Sequence, residues 1–152
     1  MAYTTAEGRQ VLLDGLARAA DELGYALAAL GAAYEALDDA TGDALEDALF
    51  GPAQKAYGRT KRTATAFAAR SRLTEPGFQE HQAGLPSSGA RGFIDQAVSG
   101  IQAASEELAG VQDAPELIEV GDSELRAALV DLRGLVDPLP DRAREITRRL
   151  GR

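Results

Sequence analysis

Apolar residues recur at alternating spacings of three and four in three separate stretches of this chain. The first is Leu13, Leu16, Ala20, Leu23, Leu27, Leu30, Tyr34 and Leu37. The second is Ile94, Ala97, Ile101, Ala104, Leu108 and Val111, and the third is Leu125, Leu129, Leu132, Val136, Leu139, Ala143, Ile146 and Leu150. Residues three and four apart share one stripe of an α-helix, so each stretch presents a seam that folding must bury. A seven-residue repeat selects near-parallel helix axes at a shallow crossing angle. The expectation is an all-α fold: an antiparallel, up-and-down four-helix bundle with heptad packing, forming a single domain over residues 1–152.

The expected helices cover about residues 5–38, 43–73, 88–112 and 122–151. Thr4-Thr-Ala-Glu7 reads as a capping box that starts the first helix. Its length is about 50 Å at a rise of 1.5 Å per residue. Its apolar face is wider than one seam. Leu12, Ala19, Ala26, Ala33 and Ala40 repeat on one side of the stripe, and Ala17, Gly24 and Gly31 repeat on the other. A face that wide requires two or more neighbouring helices. In the second helix the core stripe is Ala53, Ala56, Thr60, Ala64 and Phe67, and Gly51-Pro52 predicts a break, because proline brings no N–H to the helical ladder. Pro76-Gly77 and the Gly84–Gly89 stretch place a long loop over residues 74–90. Asp113 to Gly121 reads as a second loop, after which Asp122 or Ser123 caps the last helix. Asp137-Pro-Leu-Pro140 must kink or restart that helix, yet the heptad phase continues to Leu150, so both halves face one core.

The inventory of reactive side chains excludes several classes of chemistry. The 152 residues include no cysteine, which removes disulfides, thiolate metal sites and cysteine nucleophiles together. The N-terminus has no basic region followed by an apolar run, and the most apolar window, interrupted by Gly24 and Gly31, is too short to span a bilayer. These features point to a cytoplasmic protein, and its Arg- and Ala-rich usage is that of a GC-rich bacterial coding sequence. A single histidine, His81, cannot supply the paired ligands of a di-iron bundle or a zinc hydrolase motif. It is expected to be an exposed loop residue. No phosphate-binding glycine loop occurs. Asp38, Asp39, Asp43, Glu46 and Asp47 cluster at the first joint, but their spacing is not that of a calcium loop, and acids at a helix N-terminus suit its dipole without a metal. No catalytic residue, cofactor or metal is assigned, and the chain is read as non-enzymatic.

Charge is segregated along the chain. Lys55, Arg59, Lys61, Arg62, Arg70 and Arg72 lie between Pro52 and Arg72 with no acid among them, in a chain of formal net charge −8. Asp95, Glu106, Glu107, Asp113, Glu116, Glu119, Asp122 and Glu124 lie between Gly92 and Leu125 with no base. Lys55, Arg59 and Arg62 follow i, i+4, i+7 spacing and line one helix face. Together with Arg70 they form a candidate docking face for an anionic partner. The alternative is that this helix pairs with an acidic neighbour inside the bundle, through contacts worth about 0–1 kcal/mol each. A sequence pI near 4.7 disfavours nucleic acid as the partner, because the remaining negative field repels phosphates. Phe78, His81 and Leu85 mark the long loop as a second candidate contact.

The expected function is protein–protein interaction or assembly, with another helical protein or a second copy of this chain as partner. A bundle that binds a small apolar or anionic ligand is the alternative, with Tyr34 and Thr60 as its few inward polar groups. Tyr34-Glu-Ala-Leu-Asp38 is similar to the Tyr-x-x-x-Asp spacing near helix ends in substrates of type VII secretion. That resemblance covers five residues, and the Trp-x-Gly turn of those proteins is missing. It implies a small helical protein associated with a specialised secretion system.

Overall fold

The computed structural model describes residues 4–84 and 89–150. All regular structure among them is helical: α1 (Thr5–Glu35), α2 (Asp39–Leu45), one π-helical turn (Glu46–Phe50), α3 (Gly51–Ser71), α4 (Gly89–Asp113), α5 (Pro115–Val120), α6 (Ser123–Val136) and α7 (Leu139–Leu150). Thr4 Oγ1 accepts from the Glu7 N–H at 3.1 Å, so the first helix starts where its capping residues placed it.

The seams become the core. Every residue of the second seam is buried, and so is the third as far as Ile146. Along α1, Leu13, Leu16, Ala20, Leu23 and Leu30 are buried, as are Leu12, Ala19, Ala26 and Ala33 beside them. That double stripe meets α4 on one side and α3 on the other, with α5 against the N-terminal end. Arg18 pairs with Glu107, and Tyr25 lies opposite Gln96, so residue numbers along α1 and α4 run in opposite senses. The approach is close: a Cβ at Gly100 of α4 would stand 2.9 Å from the Glu22 carbonyl oxygen of α1. α6 then packs on α3 and α4, and α7 packs on α4 and the π turn.

Three sequence expectations need correction. Gly51-Pro52 interrupts the α-helical ladder where expected, with Pro52 in the first turn of α3, but as a π turn and not as a gap in the helix. The backbone stays helical from Asp39 to Ser71, and the π turn just before Gly51 absorbs the missing donor. The Gly51 N–H bonds to the Glu46 carbonyl oxygen, and the Ala48 carbonyl, four residues before Pro52, accepts instead from Arg142 Nη1 at 3.4 Å. The second correction is Tyr34, which is 44% exposed although it falls in the first seam. The reason is that α1 ends one residue later, at Glu35, and the ring lies against Gly42 of α2 at the surface. Third, the segment after Asp113 contains a short helix, α5, with Pro115 at its first position. At Pro138–Pro140 the helix restarts, with α6 ending at Val136 and α7 beginning at Leu139.

Candidate functional site

Burying Ala53, Ala56, Thr60, Ala64 and Phe67 turns the opposite side of α3 to solvent. Lys55, Arg59, Arg62 and Arg70 are all exposed there. Arg59, Arg62, Thr63, Ala66 and Arg70 form one wall of a groove of about 500 Å³. Its other wall is α6, through Glu124, Ala128, Asp131 and Leu132. Lys55 stands about a turn before this groove and does not line it.

The four cations differ in what they face. Arg70 is neutralised by α6: Nε and Nη2 donate to the two oxygens of Asp122 at 2.8 and 3.1 Å, and Nη1 lies 3.1 Å from Glu124. These bonds hold the Asp122 carboxyl below its usual range, first through Arg70 and further through the Leu125 N–H that it also accepts. Arg70 therefore belongs to the bundle's internal pairing. Lys55, Arg59 and Arg62 make no ion pair among the described residues. The guanidinium of Arg62 lies back over Gly58, where a Cβ would meet Nη1 at 3.2 Å. Lys61 is spent on aromatic faces, 4.1 Å from the Tyr57 ring centroid and 5.9 Å from that of Phe78. The acidic helix α4 does not serve this cluster, and its Glu107 pairs with Arg18 of α1.

The described part of the long loop, residues 74–84, is docked on the bundle through Phe78, His81 and Gly84. His81, expected in solvent, keeps only 16% of its side-chain surface exposed. The cause is Gly24 of α1, where a Cβ would approach His81 Nε2 to 2.9 Å and Cδ2 more closely still. Without that Cβ the imidazole lies directly on the helix backbone. Its Nε2 faces Asp21 Oδ1 at 3.5 Å, too long for a hydrogen bond, and both atoms are buried without another partner. Phe78 is half-buried beneath Lys61, and the Gly84 N–H donates to Gln96 Oε1 at 2.9 Å. Leu85 lies outside the described residues.

The two polar groups that the seams offered to an interior ligand are otherwise placed. Thr60 is fully buried, and its hydroxyl donates to the Ala56 carbonyl at 2.8 Å. Tyr34 lies at the surface against Gly42, and Asp38, its partner in the Tyr-x-x-x-Asp spacing, caps α2 by accepting from the Thr41 N–H at 2.8 Å. That bond lowers the Asp38 pKa. Among the described residues no three acids or histidines gather as a metal site. Reading by sequence missed the α6 wall of the groove and a crevice between α1 and the π turn, because both join residues distant along the chain. No helix among the described residues is long and apolar enough to cross a membrane. No family model matches the chain, and the search of curated proteins and that of solved structures each found no match.

Proposed function

We propose that this chain is a non-enzymatic, cytoplasmic interaction module, and that Lys55, Arg59 and Arg62 on α3 receive an acidic segment of a partner protein. The reading takes the architecture to be an antiparallel four-helix bundle packed on heptad seams, with α3 as its docking helix. One observation carries it: these three cations stand exposed without an ion pair among the described residues, while Arg70 on the same helix is satisfied by α6. Cations left outside the bundle's own pairing are free to raise the association rate and register of an anionic partner. The opposing Glu124 and Asp131 set a limit on that partner, since a uniformly anionic ligand such as a nucleic acid would be repelled by the α6 wall.

The test is fluorescence anisotropy of a labelled peptide carrying a short glutamate cluster flanked by neutral residues, against the wild-type protein and the Arg59→Glu/Arg62→Glu double variant. Binding that weakens with added salt and is abolished in the variant, at unchanged helicity by circular dichroism, supports the reading. Equal binding by both proteins overturns it. A second reading, self-association, is favoured by Val130 on α6, which is 63% exposed, with Ala127 and Gly134 exposed nearby. Native mass spectrometry decides between a monomer and a defined oligomer.

A further inference from the structure

Away from the basic face, the C-terminal end of α1 and the π turn enclose a crevice of about 350 Å³ lined by Gly31, Tyr34, Glu35, Glu46 and Phe50. Its volume falls in the range of small-molecule sites, roughly 300–1,000 Å³. We infer that this crevice is a binding site for a small organic cation of the alkylammonium class.

Several features of the crevice favour a positive charge there and share no common cause. Two aromatic residues, Tyr34 and Phe50, line it, and an aromatic ring's quadrupole attracts a cation. Two carboxylates, Glu35 and Glu46, line the same space, and neither makes an ion pair among the described residues. The crevice also sits at the negative end of the α1 dipole, and the last turn of α1 contains no basic side chain to offset it. Acids on α2 and the π turn (Asp39, Asp43 and Asp47) add negative charge, against the one guanidinium, Arg142, that reaches the π turn at the Ala48 carbonyl.

The backbone accounts for the shape. Gly31 leaves the floor open, since a Cβ built there meets nothing within 4 Å. Gly42 lets the Tyr34 ring settle against α2, where a Cβ would stand 3.1 Å from Cε2. The π turn is wider than an α turn, so Glu46 and Phe50 are displaced from the stripe that an uninterrupted helix would give them. An organic cation fits this lining better than a metal ion does. Aromatic rings offer no oxygen ligands, whereas an alkylammonium uses both the rings and the diffuse negative charge.

Choline serves as the probe, and 3,3-dimethyl-1-butanol serves as its neutral isostere of the same shape. Amide chemical shifts of the labelled protein are followed up to about 50 mM of each, a range that reaches weak dissociation constants. At matched ionic strength, choline should give saturable shifts at Gly31, Glu35 and Phe50, with binding about tenfold or more tighter than the isostere. Gly31→Leu, whose Cβ meets no atom within 4 Å, places a side chain on the floor and should abolish those shifts; Glu46→Gln should weaken binding several-fold with the fold intact. The inference is overturned if wild type shows no saturable shift, if the isostere binds equally well, or if both variants bind as wild type does.

Discussion

Arg70 grips both carboxylate oxygens of Asp122, and the Oδ1 atom of Asp122 also accepts the Leu125 N–H at 2.8 Å. One carboxylate thereby caps α6 and ties its N-terminus to the C-terminal part of α3. Asp122→Ala removes a cap, worth about 1 kcal/mol, and a partly exposed ion pair, worth up to about 1 kcal/mol after screening. The expected loss is about 1–2 kcal/mol in urea unfolding. A variant as stable as wild type would deny the carboxylate both roles.

The same pair sets a pH dependence. The folded Asp122 pKa is depressed, first by Arg70 and further by the Leu125 N–H. The unfolded carboxyl therefore takes up its proton at higher pH than the folded one. Its contribution is fully present above the unfolded value, near pH 4, and fades as pH falls through the lower folded value. Arg70 stays charged throughout this window. The stability difference between wild type and Asp122→Asn should thus be constant near neutrality and shrink in acid. A difference that grows with acidification would reverse the sign assigned here.

Gly24 and His81 are coupled by space. Alanine at an interior helix position is ordinarily favoured over glycine by about 1 kcal/mol. At position 24 the new methyl would strike the imidazole, with Nε2 at 2.9 Å, and Tyr57 Cε1 stands at 3.3 Å. Gly24→Ala is expected to release the loop, seen as faster proteolysis between Leu73 and Gly84. Adding His81→Ala should restore the helix-propensity gain, giving a favourable coupling of about 1 kcal/mol or more in a double-mutant cycle. Strict additivity would show that the ring does not rest on Gly24.

These pairs show where reading by sequence stops. Burial of Ile94 through Val111, or of Leu125 through Ile146, follows from spacing within one helix and needs no tertiary information. His81 was misread because its environment is set by an absent Cβ on another helix, a signal that lies nowhere near position 81. Arg59 and Arg70 are alike as sequence, both basic and on the outer side of one helix. Only the placement of Asp122 at the start of α6 separates the neutralised cation from the open ones. Gly51-Pro52 predicts an interruption for a local reason, the missing N–H, but that reason does not distinguish a gap in the helix from a π turn.

Arg72 ends α3 in the left-handed region, at φ 56°. Its N–H and that of Leu73 return to the Ala69 and Ala68 carbonyls at 3.3 and 2.9 Å, closing the helix and turning Leu73 towards the core. A side chain in this conformation costs roughly 1 kcal/mol, which glycine avoids. Arg72→Gly should raise stability by about 0.5–1 kcal/mol despite the lost charge, measured as a shifted urea midpoint at constant m. A destabilised variant would show that the Arg72 side chain contributes more than the strain costs.

Arg142 and Pro52 are linked through Ala48. In an uninterrupted helix the residue at position 52 would donate to the Ala48 carbonyl, and proline has no N–H to give. Arg142 Nη1 takes that place at 3.4 Å, reaching from α7 to the π turn. The bond is long and its donor exposed, so Arg142→Ala should cost only about 0.5–1 kcal/mol. Pro52→Ala restores a backbone N–H at the position that an α-helix pairs with the same carbonyl. In that background the Arg142→Ala cost should fall by at least half, because the acceptor is no longer waiting for an outside donor. An equal cost in both backgrounds, read from urea unfolding of the four proteins, would mean that Arg142 stabilises the α7 contact by some other route.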